Sequence, residues 1–354
     1  MKKSTLATIY AIFCALLLLA GLSLAFYFAW ITGLDDGVEV LVSIVISLFL
    51  APTLHELGHV VFAGACAMEI EYVKFFCFKL VRTSGKLRFS LASPFAPDET
   101  QTLPTRGGNM QKRAALYTLG GLIFEGIFTL LIAISAITLS CFQIYSFALW
   151  GLLPYAAYLF LMNAIPLEYP SGKTDALVYW GLKKGAPTEK NMLAAMEIQG
   201  RLYAGESFAE IDEKLYFSVP QLCEDEPLYA VMLDLQYRYY LEKNELEKAA
   251  DRLNRLASAQ AYLTEREVEK IAAELTYLHA LNGDQARAQE CSKLCEDYLR
   301  EEEAVAKRAL AAYCKAFGKE EAVAPLILQA ERILQEARCK GEAKAERILL
   351  ARLA

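Results

Sequence analysis

Two histidines and a glutamate form the most distinctive chemical pattern of this chain, His55-Glu56-Leu57-Gly58-His59. Histidines four positions apart lie on one face of a helix, about one turn from each other, so both imidazoles can reach the same metal ion. Glu56 stands beside them, where its carboxylate can act as a base toward a water molecule. The whole chain has only 3 histidines. The pattern therefore predicts a hydrolytic zinc site.

The histidine pattern lies inside an apolar run that extends from about residue 38 to residue 68. Ionisable residues are costly in an apolar membrane helix and are by default functional there. Pro52 precedes the pattern and, having no N–H, cannot bond the carbonyl of Leu48. Two interpretations stay open: a kink that leaves polar backbone close to the metal, or an ordinary proline of a membrane helix.

Four apolar runs are long enough to cross a bilayer and must position this pattern. Hydrophobic residues make up 55% of the 354 residues, which predicts several membrane spans together with a soluble part. A signal peptide is the alternative for the first run, but its length favours an uncleaved anchor. The predicted spans cover about residues 6–31, 38–68, 114–140 and 142–167.

The connection between the second and third spans has the pattern of a β-hairpin. Residues 72–95 interleave aromatic and aliphatic residues with Lys and Arg, and Thr83-Ser84-Gly85 marks a turn. An edge strand of this hairpin could pair with an extended substrate, or the hairpin could simply connect the spans along the lipid headgroups. Residues 94–104 are predicted to form a polar loop.

The third span contains three glycines and one ionisable residue. Gly120, Gly121 and Gly126 are interpreted as a small-residue face that lets helices approach closely. Glu125 lies in the same apolar span, where an ionisable side chain needs a partner. Two interpretations stay open for Glu125: it touches the metal site, or it lies in a polar gap.

A third metal ligand is expected after the fourth span. Catalytic zinc usually has three protein ligands and one open position, and a carboxylate commonly completes two histidines. The stretch from Asn163 to Asp175 supplies carboxylates at Glu168 and Asp175. Basic residues near the N-terminus, in 72–113 and in 173–184 predict that these regions share the cytoplasmic side. That topology brings the end of the second span and the 163–175 stretch to one face.

Residues 185–354 contain no further apolar span, and their helical periodicity predicts a cytosolic all-α domain. Turns near Asn244, Gly283 and Gly318 recur at intervals of roughly 35 to 40 residues, which resembles tetratricopeptide-type helical hairpins. The chain is therefore divided into a membrane-embedded domain that carries the histidine pattern, residues 1–184, and this helical-repeat-like domain, residues 185–354.

Composition argues against a nucleic-acid partner and against disulfide bonds. The net charge is -6 without a concentrated basic stripe, which argues against a nucleic-acid partner. The 9 cysteines are scattered, and Cys291 and Cys295 are the closest pair. They are interpreted as reduced structural thiols.

The histidine pattern in one span, with Asn163-x-x-Pro166 and then Asp175 after another, resembles the site-2 protease family of intramembrane zinc metalloproteases. The resemblance covers about residues 38–176. It implies that His55, His59 and Asp175 bind Zn²⁺. It also implies that Glu56 is the general base and that Asn163 helps to hold the substrate strand.

The sequence departs from the family pattern in two places. Thr174-Asp175-Ala176 replaces the usual Leu-Asp-Gly, which leaves Glu168 as an alternative ligand. The third core span of the family often carries Gly-Pro and an Asn, whereas this chain has Gly120-Gly121-Leu122 and Glu125. Substrate handling along that span is therefore expected to differ.

The resemblance implies an enzyme that hydrolyses peptide bonds within or near the transmembrane segments of membrane proteins. The expected setting is a bacterial plasma membrane, with several spans and a cytoplasmic C-terminal domain. The main alternative is a catalytically silent membrane scaffold whose C-terminal helices recruit a protein partner. A membrane-tethered zinc protease acting on soluble peptides is less favoured, because the histidines lie within an apolar span.

Overall fold

The computed structural model of the protein describes residues 3–83, 86–96, 98–142, 144, 146–170, 172–259 and 263–353. The chain forms two compact units. The first consists of residues 1–103 and 109–189, and the second consists of residues 104–108 and 190–354. The boundary between the units therefore follows residue 189, whereas the sequence suggests a boundary after residue 184.

The first unit is built mainly from long apolar helices. Its helices are α1 (Lys3–Thr32), α2 (Leu34–Ala65), α3 (Met110–Cys141), α4 (Phe147–Ala164) and α5 (Asp175–Lys184). The first four are long and apolar enough to cross a membrane, in agreement with the sequence prediction. Large apolar side chains such as Leu16, Leu130 and Ile137 are exposed on them. Such exposure is unfavourable in water and compatible with a membrane.

Helix α2 carries both histidines of the metal pattern and continues through Pro52. It ends at Ala65, because the chain turns at Ala67, whose backbone is left-handed with φ 48°. Met68 already belongs to the first strand. The second predicted span, which extends to residue 68, is therefore too long at its C-terminal end.

A four-stranded sheet connects α2 and α3, and its strand order is β3-β2-β1-β4. The strands are β1 (Met68–Phe75), β2 (Phe78–Thr83), β3 (Lys86–Leu91) and β4 (Glu99–Pro104). β2 and β3 pair antiparallel with Phe78 opposite Leu91. The turn residues Ser84 and Gly85, singled out in the sequence, lie outside the described residues.

The predicted loop at 94–104 is wrong in its second half, because β4 occupies residues 99–104 and pairs with β1. Thr100 and Thr102 are β-branched, and β-branched residues fit a pleated strand. The surrounding prolines concealed this preference in the sequence. The connection is thus one four-stranded sheet, larger than the single hairpin expected.

A short second sheet joins α4 to α5. Its strands are β5 (Glu168–Tyr169) and β6 (Gly172–Lys173), which pair antiparallel with Glu168 opposite Lys173. Helix α5 begins at Asp175, two residues after β6 ends. This small hairpin accounts for the residues that separate the end of α4 from Asp175.

Apart from residues 104–108, the second unit consists of helices joined by turns and loops, and α6 (Pro187–Ala204) leads into it. The helices that follow are α7 (Lys214–Phe217), α8 (Pro227–Glu242), α9 (Leu246–Ser258), α10 (Glu265–Leu281), α11 (Gln285–Lys293), α12 (Glu296–Arg300), α13 (Ala304–Ala316), α14 (Glu320–Gln335) and α15 (Lys340–Ala351). Asn244, Gly283 and Gly318 have left-handed backbones, with φ of 62°, 74° and 72°. They separate α8 from α9, α10 from α11 and α13 from α14, where the sequence predicts turns.

The core of the second unit contains a buried charged network around Arg308. Its Nη2 lies 2.8 Å from both carboxylate oxygens of Glu274, and its Nε lies 2.7 Å from Oε2 of Glu346. Tyr237 donates a hydrogen bond to Glu274 at 2.7 Å, and the guanidinium lies 4.1 Å from the centre of the Tyr277 ring. The two buried carboxylates of this network therefore share a cation that belongs to the protein.

Candidate metal centre

Three side chains from two distant parts of the chain meet in the first unit: His55 and His59 from α2, and Asp175 from the start of α5. Nε2 of His55 lies 3.3 Å from Nε2 of His59, and these two atoms lie 3.1 and 3.4 Å from Oδ2 of Asp175. The three ligand atoms are close enough to hold one metal ion. Glu168, the alternative ligand, is exposed on β5 and does not belong to this group.

The second nitrogen of each histidine ring faces a hydrogen-bond acceptor. Nδ1 of His55 lies 3.0 Å from Oε2 of Glu125, and Nδ1 of His59 lies 3.1 Å from the carbonyl oxygen of Tyr117. A neutral imidazole that donates from Nδ1 carries a lone pair on Nε2. In that neutral tautomer both Nε2 atoms present lone pairs toward Asp175, which is the state that a metal ligand requires.

Three acceptor atoms thus converge on one point, and Oδ2 of Asp175 is buried without a hydrogen-bond partner among the described residues. Acceptors 3.1 to 3.4 Å apart repel one another unless a cation lies between them. A proton on one ring would relieve one of these contacts, whereas a metal ion relieves all three. Tetrahedral zinc, with bonds of 2.0 to 2.2 Å, separates its ligand atoms by about 3.3 to 3.6 Å. Two imidazoles and a carboxylate at these distances therefore fit zinc.

The charge state of Asp175 suits a metal ligand. Burial acts to raise the pKa of this carboxyl group, but without a metal the hydrogen bonds and charge of the His55 and His59 rings outweigh burial and lower the pKa to about 2. Asp175 is therefore ionised at neutral pH and can bind a cation.

Glycines allow α3 to lie directly against the two histidines. A Cβ atom on Gly121 would lie 2.6 Å from Nε2 of His59 and 2.7 Å from Nε2 of His55. A Cβ atom on Gly58 would lie 2.3 Å from the carbonyl oxygen of Gly120. The sequence indicated only helix packing for Gly120 and Gly121. The structure adds that the missing side chain of Gly121 keeps the space at the ligand atoms open.

One face of α3 lines the site through residues spaced four apart: Tyr117, Gly121 and Glu125. Tyr117 contributes its carbonyl oxygen, Gly121 contributes space, and Glu125 contributes a carboxylate that is 0% exposed. Of the two interpretations of Glu125, the 3.0 Å contact with His55 supports the one in which it touches the site. The helical spacing of an ionisable residue and a glycine was the signal for this face in the sequence.

Thr174 fixes the position of Asp175 at the start of α5. Its Oγ1 accepts a hydrogen bond from the backbone N–H of Leu177 at 3.2 Å, which caps the helix. The same oxygen donates to the carbonyl of Ile165 at 2.9 Å and accepts from the N–H of Leu167 at 3.2 Å. Thr174 is buried. It thereby ties the first residue of α5 to the segment that follows α4, a role that the sequence analysis missed.

The remaining predicted site residues lie on the helices that form this unit. Glu56 is half-buried on α2, directly after His55. Asn163 is half-buried near the C-terminal end of α4. The roles of Glu56 as general base and of Asn163 in holding a substrate strand stay predictions.

Comparisons of the chain with protein-family models, with curated proteins and with solved structures gave no match. These comparisons therefore identify no family. The resemblance to site-2 proteases rests on the histidine pattern, Asn163-x-x-Pro166 and Asp175.

Proposed function

We propose that this protein is an intramembrane zinc metalloprotease that hydrolyses peptide bonds within or near the transmembrane segments of membrane proteins. The observation that carries the proposal is the convergence of His55 Nε2, His59 Nε2 and Asp175 Oδ2, 3.1 to 3.4 Å apart. The two histidines belong to a helix that is apolar enough to cross a membrane. Two imidazoles and one carboxylate are a known ligand set of catalytic zinc, which leaves a position open for the reaction.

Zinc bound at such a site polarises a peptide carbonyl and acidifies a water molecule. Glu56 would accept a proton from the attacking water, whose oxygen bonds to the scissile carbonyl carbon. When the C–N bond breaks, Glu56 would deliver that proton to the leaving amine nitrogen. The products are a carboxylate and an amine. Peptide hydrolysis is supported here because the base lies beside the ligands in sequence and on the same helix.

A transmembrane substrate has to unwind before it is cut, because its helical carbonyls are occupied by hydrogen bonds. The sheet between α2 and α3 supports a strand-pairing route, since β3 and β4 are its outer strands and every residue of β3 is exposed. An extended substrate could add to such an edge through main-chain hydrogen bonds. Asn163 would then help to hold the strand near the metal.

The second unit supports a recruiting role for the C-terminal helices. Three helix pairs joined at Asn244, Gly283 and Gly318 favour a tetratricopeptide-like arrangement, and such repeats commonly bind proteins. We infer that this unit is cytoplasmic, that it binds a protein partner or part of the substrate, and that the four apolar helices lie in a bacterial plasma membrane.

The proposal is tested by comparing the wild-type protein with Glu56→Gln, His55→Ala and Asp175→Ala. The metal content of detergent-purified protein is expected to be about one zinc per chain in the wild type and in Glu56→Gln, because Glu56 is not a ligand. His55→Ala and Asp175→Ala are expected to lose the zinc. In cells, new peptide termini inside apolar segments of membrane proteins, mapped by mass spectrometry, should occur only with the wild type.

The scaffold alternative makes a different prediction for the same experiment. A silent scaffold would give identical termini in cells that carry the wild type and in cells that carry Glu56→Gln. Termini that persist in Glu56→Gln but vanish in His55→Ala would remove Glu56 as the base. Absence of zinc from wild-type protein, purified without chelators, would argue against the metalloprotease itself.

A further inference from the structure

Glu125 is a buried carboxylate with one hydrogen-bond partner among the described residues. It is 0% exposed on α3, a helix that is apolar enough to cross a membrane. Its Oε2 lies 3.0 Å from Nδ1 of His55, whereas its Oε1 has no hydrogen-bond partner among the described residues. Among the described residues, no lysine or arginine forms an ion pair with the Glu125 carboxylate. An unpaired buried carboxylate is costly, so its presence calls for a compensating charge.

Building on the proposed zinc site, we propose that Glu125 is the positioning residue of the metal centre. Its carboxylate accepts a hydrogen bond from the Nδ1–H of His55 and holds that ring in the tautomer whose Nε2 lone pair faces Asp175. Together with Asp175 it supplies the two negative charges that balance a divalent cation between two neutral imidazoles. Glu125 thus acts through His55 and does not touch the metal.

The two histidines are held by different kinds of group, which makes this role testable. Nδ1 of His59 donates to a backbone carbonyl, that of Tyr117, so no side-chain substitution removes its acceptor. Nδ1 of His55 donates to a side chain, so Glu125 alone determines whether that acceptor is present. Gly121 lies one turn before Glu125 and has no side chain to steady either ring. His59 is therefore an internal control for His55.

The first measurement is zinc affinity, determined by chelator competition on detergent-purified protein. Glu125→Leu removes both acceptor and charge, and we expect zinc binding to weaken by about 10- to 100-fold, as for other groups that hold metal-binding histidines. Glu125→Gln keeps an oxygen acceptor without the charge and should weaken binding less. Thr129→Val is the matched control, because Thr129 lies one turn further along α3 and its buried hydroxyl has no partner among the described residues. Zinc affinity should be unchanged in Thr129→Val.

The second measurement is the tautomer of each histidine in the metal-free protein, determined by NMR after ¹⁵N labelling of histidine. The chain has only 3 histidines, and His279→Gln leaves just the two of the site. In the wild type both Nδ1 atoms should carry a hydrogen-bonded proton, whether or not Nε2 is protonated as well. In Glu125→Leu the His55 signal should move toward a mixture of tautomers, while the His59 signal stays in place. A general loosening of the fold would move both signals.

The outcomes separate this inference from the proposed function. Normal zinc affinity and an unchanged His55 tautomer in Glu125→Leu would overturn the role of Glu125, even if the protein is a zinc protease. Lack of zinc in the wild type would overturn the proposed function, while the tautomer of metal-free His55 would still decide whether Glu125 holds that ring. If Glu125→Leu does not fold, Glu125→Gln provides both readouts, and equal affinity in Glu125→Gln and Thr129→Val would then contradict the charge-balancing role.

Discussion

Each unit of this protein buries a cluster of acidic side chains, and the two clusters differ in what balances their charge. In the second unit, Glu274 and Glu346 both bond the guanidinium of Arg308. In the first unit, Glu125 and Asp175 contact the rings of two histidines, and among the described residues neither carboxylate pairs with lysine or arginine. The cluster in the second unit therefore contains a permanent cation, whereas the cluster in the first unit has none among the described residues.

The difference separates a structural network from a candidate functional site. Burying charge is expensive in both places, and a network that contains its own cation has its counter-charge once the domain folds, although Nη1 of Arg308 has no hydrogen-bond partner among the described residues. A cluster in which two imidazole lone pairs and a carboxylate face one another is satisfied only when a cation enters. Burial of ionisable groups alone therefore does not indicate function. The informative property is whether the protein supplies the opposite charge.

The largest effect is expected from filling the space at the cluster that lacks a cation. A Cβ atom in Gly121→Ala would lie 2.6 Å from Nε2 of His59 and 2.7 Å from Nε2 of His55, so the ligand atoms must separate. We expect Gly121→Ala to abolish zinc binding and any peptide hydrolysis. Metal content after purification measures the first, and mapping of new termini measures the second.

Gly126→Ala is the matched control for this substitution. It adds the same methyl group to the same helix, but its nearest neighbour is Cε2 of Phe160 at 3.0 Å, the edge of a ring that can shift. Zinc content should stay near that of the wild type. If Gly121→Ala also keeps its zinc, the histidines do not form the metal site at the position described.

In the second unit, removing the cation should destabilise the domain and leave the metal site intact. Arg308→Met leaves Glu274 and Glu346 buried without their cation. Removing one partner of a buried ion pair typically costs about 3 to 5 kcal/mol of stability. A urea titration measures the loss of stability, with hydrogen exchange of peptides from residues 190–354 as the readout of unfolding. Zinc content should not change.

Arg300→Met is the control for Arg308→Met, because the Arg300 side chain is 74% exposed and its ion pairs lie in solvent. It should leave the urea midpoint nearly unchanged. Equal stability of Arg308→Met and Arg300→Met would mean that the buried network contributes little to the stability of the second unit.

Acid should weaken the second unit through Glu274. Burial acts to raise the pKa of this carboxyl group, but the charges of Arg308 and Arg238 and hydrogen bonds from Tyr237 and Arg308 lower it below its ordinary value of 4.5. A carboxylate whose pKa is lower in the folded state stabilises the fold above the ordinary pKa and loses that contribution as the pH falls through the folded-state pKa. The urea midpoint should therefore fall as the pH drops below about 4.5.

Glu274→Gln distinguishes this carboxylate from the other acidic groups of the unit. The variant should be less stable than the wild type at neutral pH, and its urea midpoint should depend less on pH in the acid range. An unchanged acid dependence would assign the effect to other carboxylates. Pulse labelling at one common pH removes the intrinsic pH dependence of exchange from the comparison.

The elements of the fold that depend on local pattern were predictable from the sequence. Apolar length predicts the four long helices, and the turns at Asn244, Gly283 and Gly318 are predictable because left-handed backbone favours Gly and Asn. β4 was missed because it is short and flanked by proline, and its pairing with β1 is not a local property.

The candidate metal ligands were likewise predictable only where they depend on local spacing. The four-residue spacing of His55 and His59 is local, so it was visible in the sequence. The approach of Asp175 depends on the small sheet after α4 and on the bonds of Thr174, which no spacing encodes. The contact between Glu125 and His55 depends on how closely Gly58 and Gly120 let α2 and α3 pack. Long-range geometry of this kind follows from the whole packing arrangement.

The smallest predicted effect compares two threonine caps, one in each unit. Thr174 caps α5 by accepting from the N–H of Leu177, and Thr264 caps α10 by accepting from the N–H of Glu267. Thr→Val should remove about 1 kcal/mol of stability at either cap. Only Thr174→Val should also weaken zinc binding, by a few-fold, because Asp175 follows Thr174 directly and loses the bond that ties α5 to Ile165. Chelator competition on both variants measures this difference. Equal zinc affinity would show that Asp175 is positioned by its contacts with the histidines and the metal, without help from the cap.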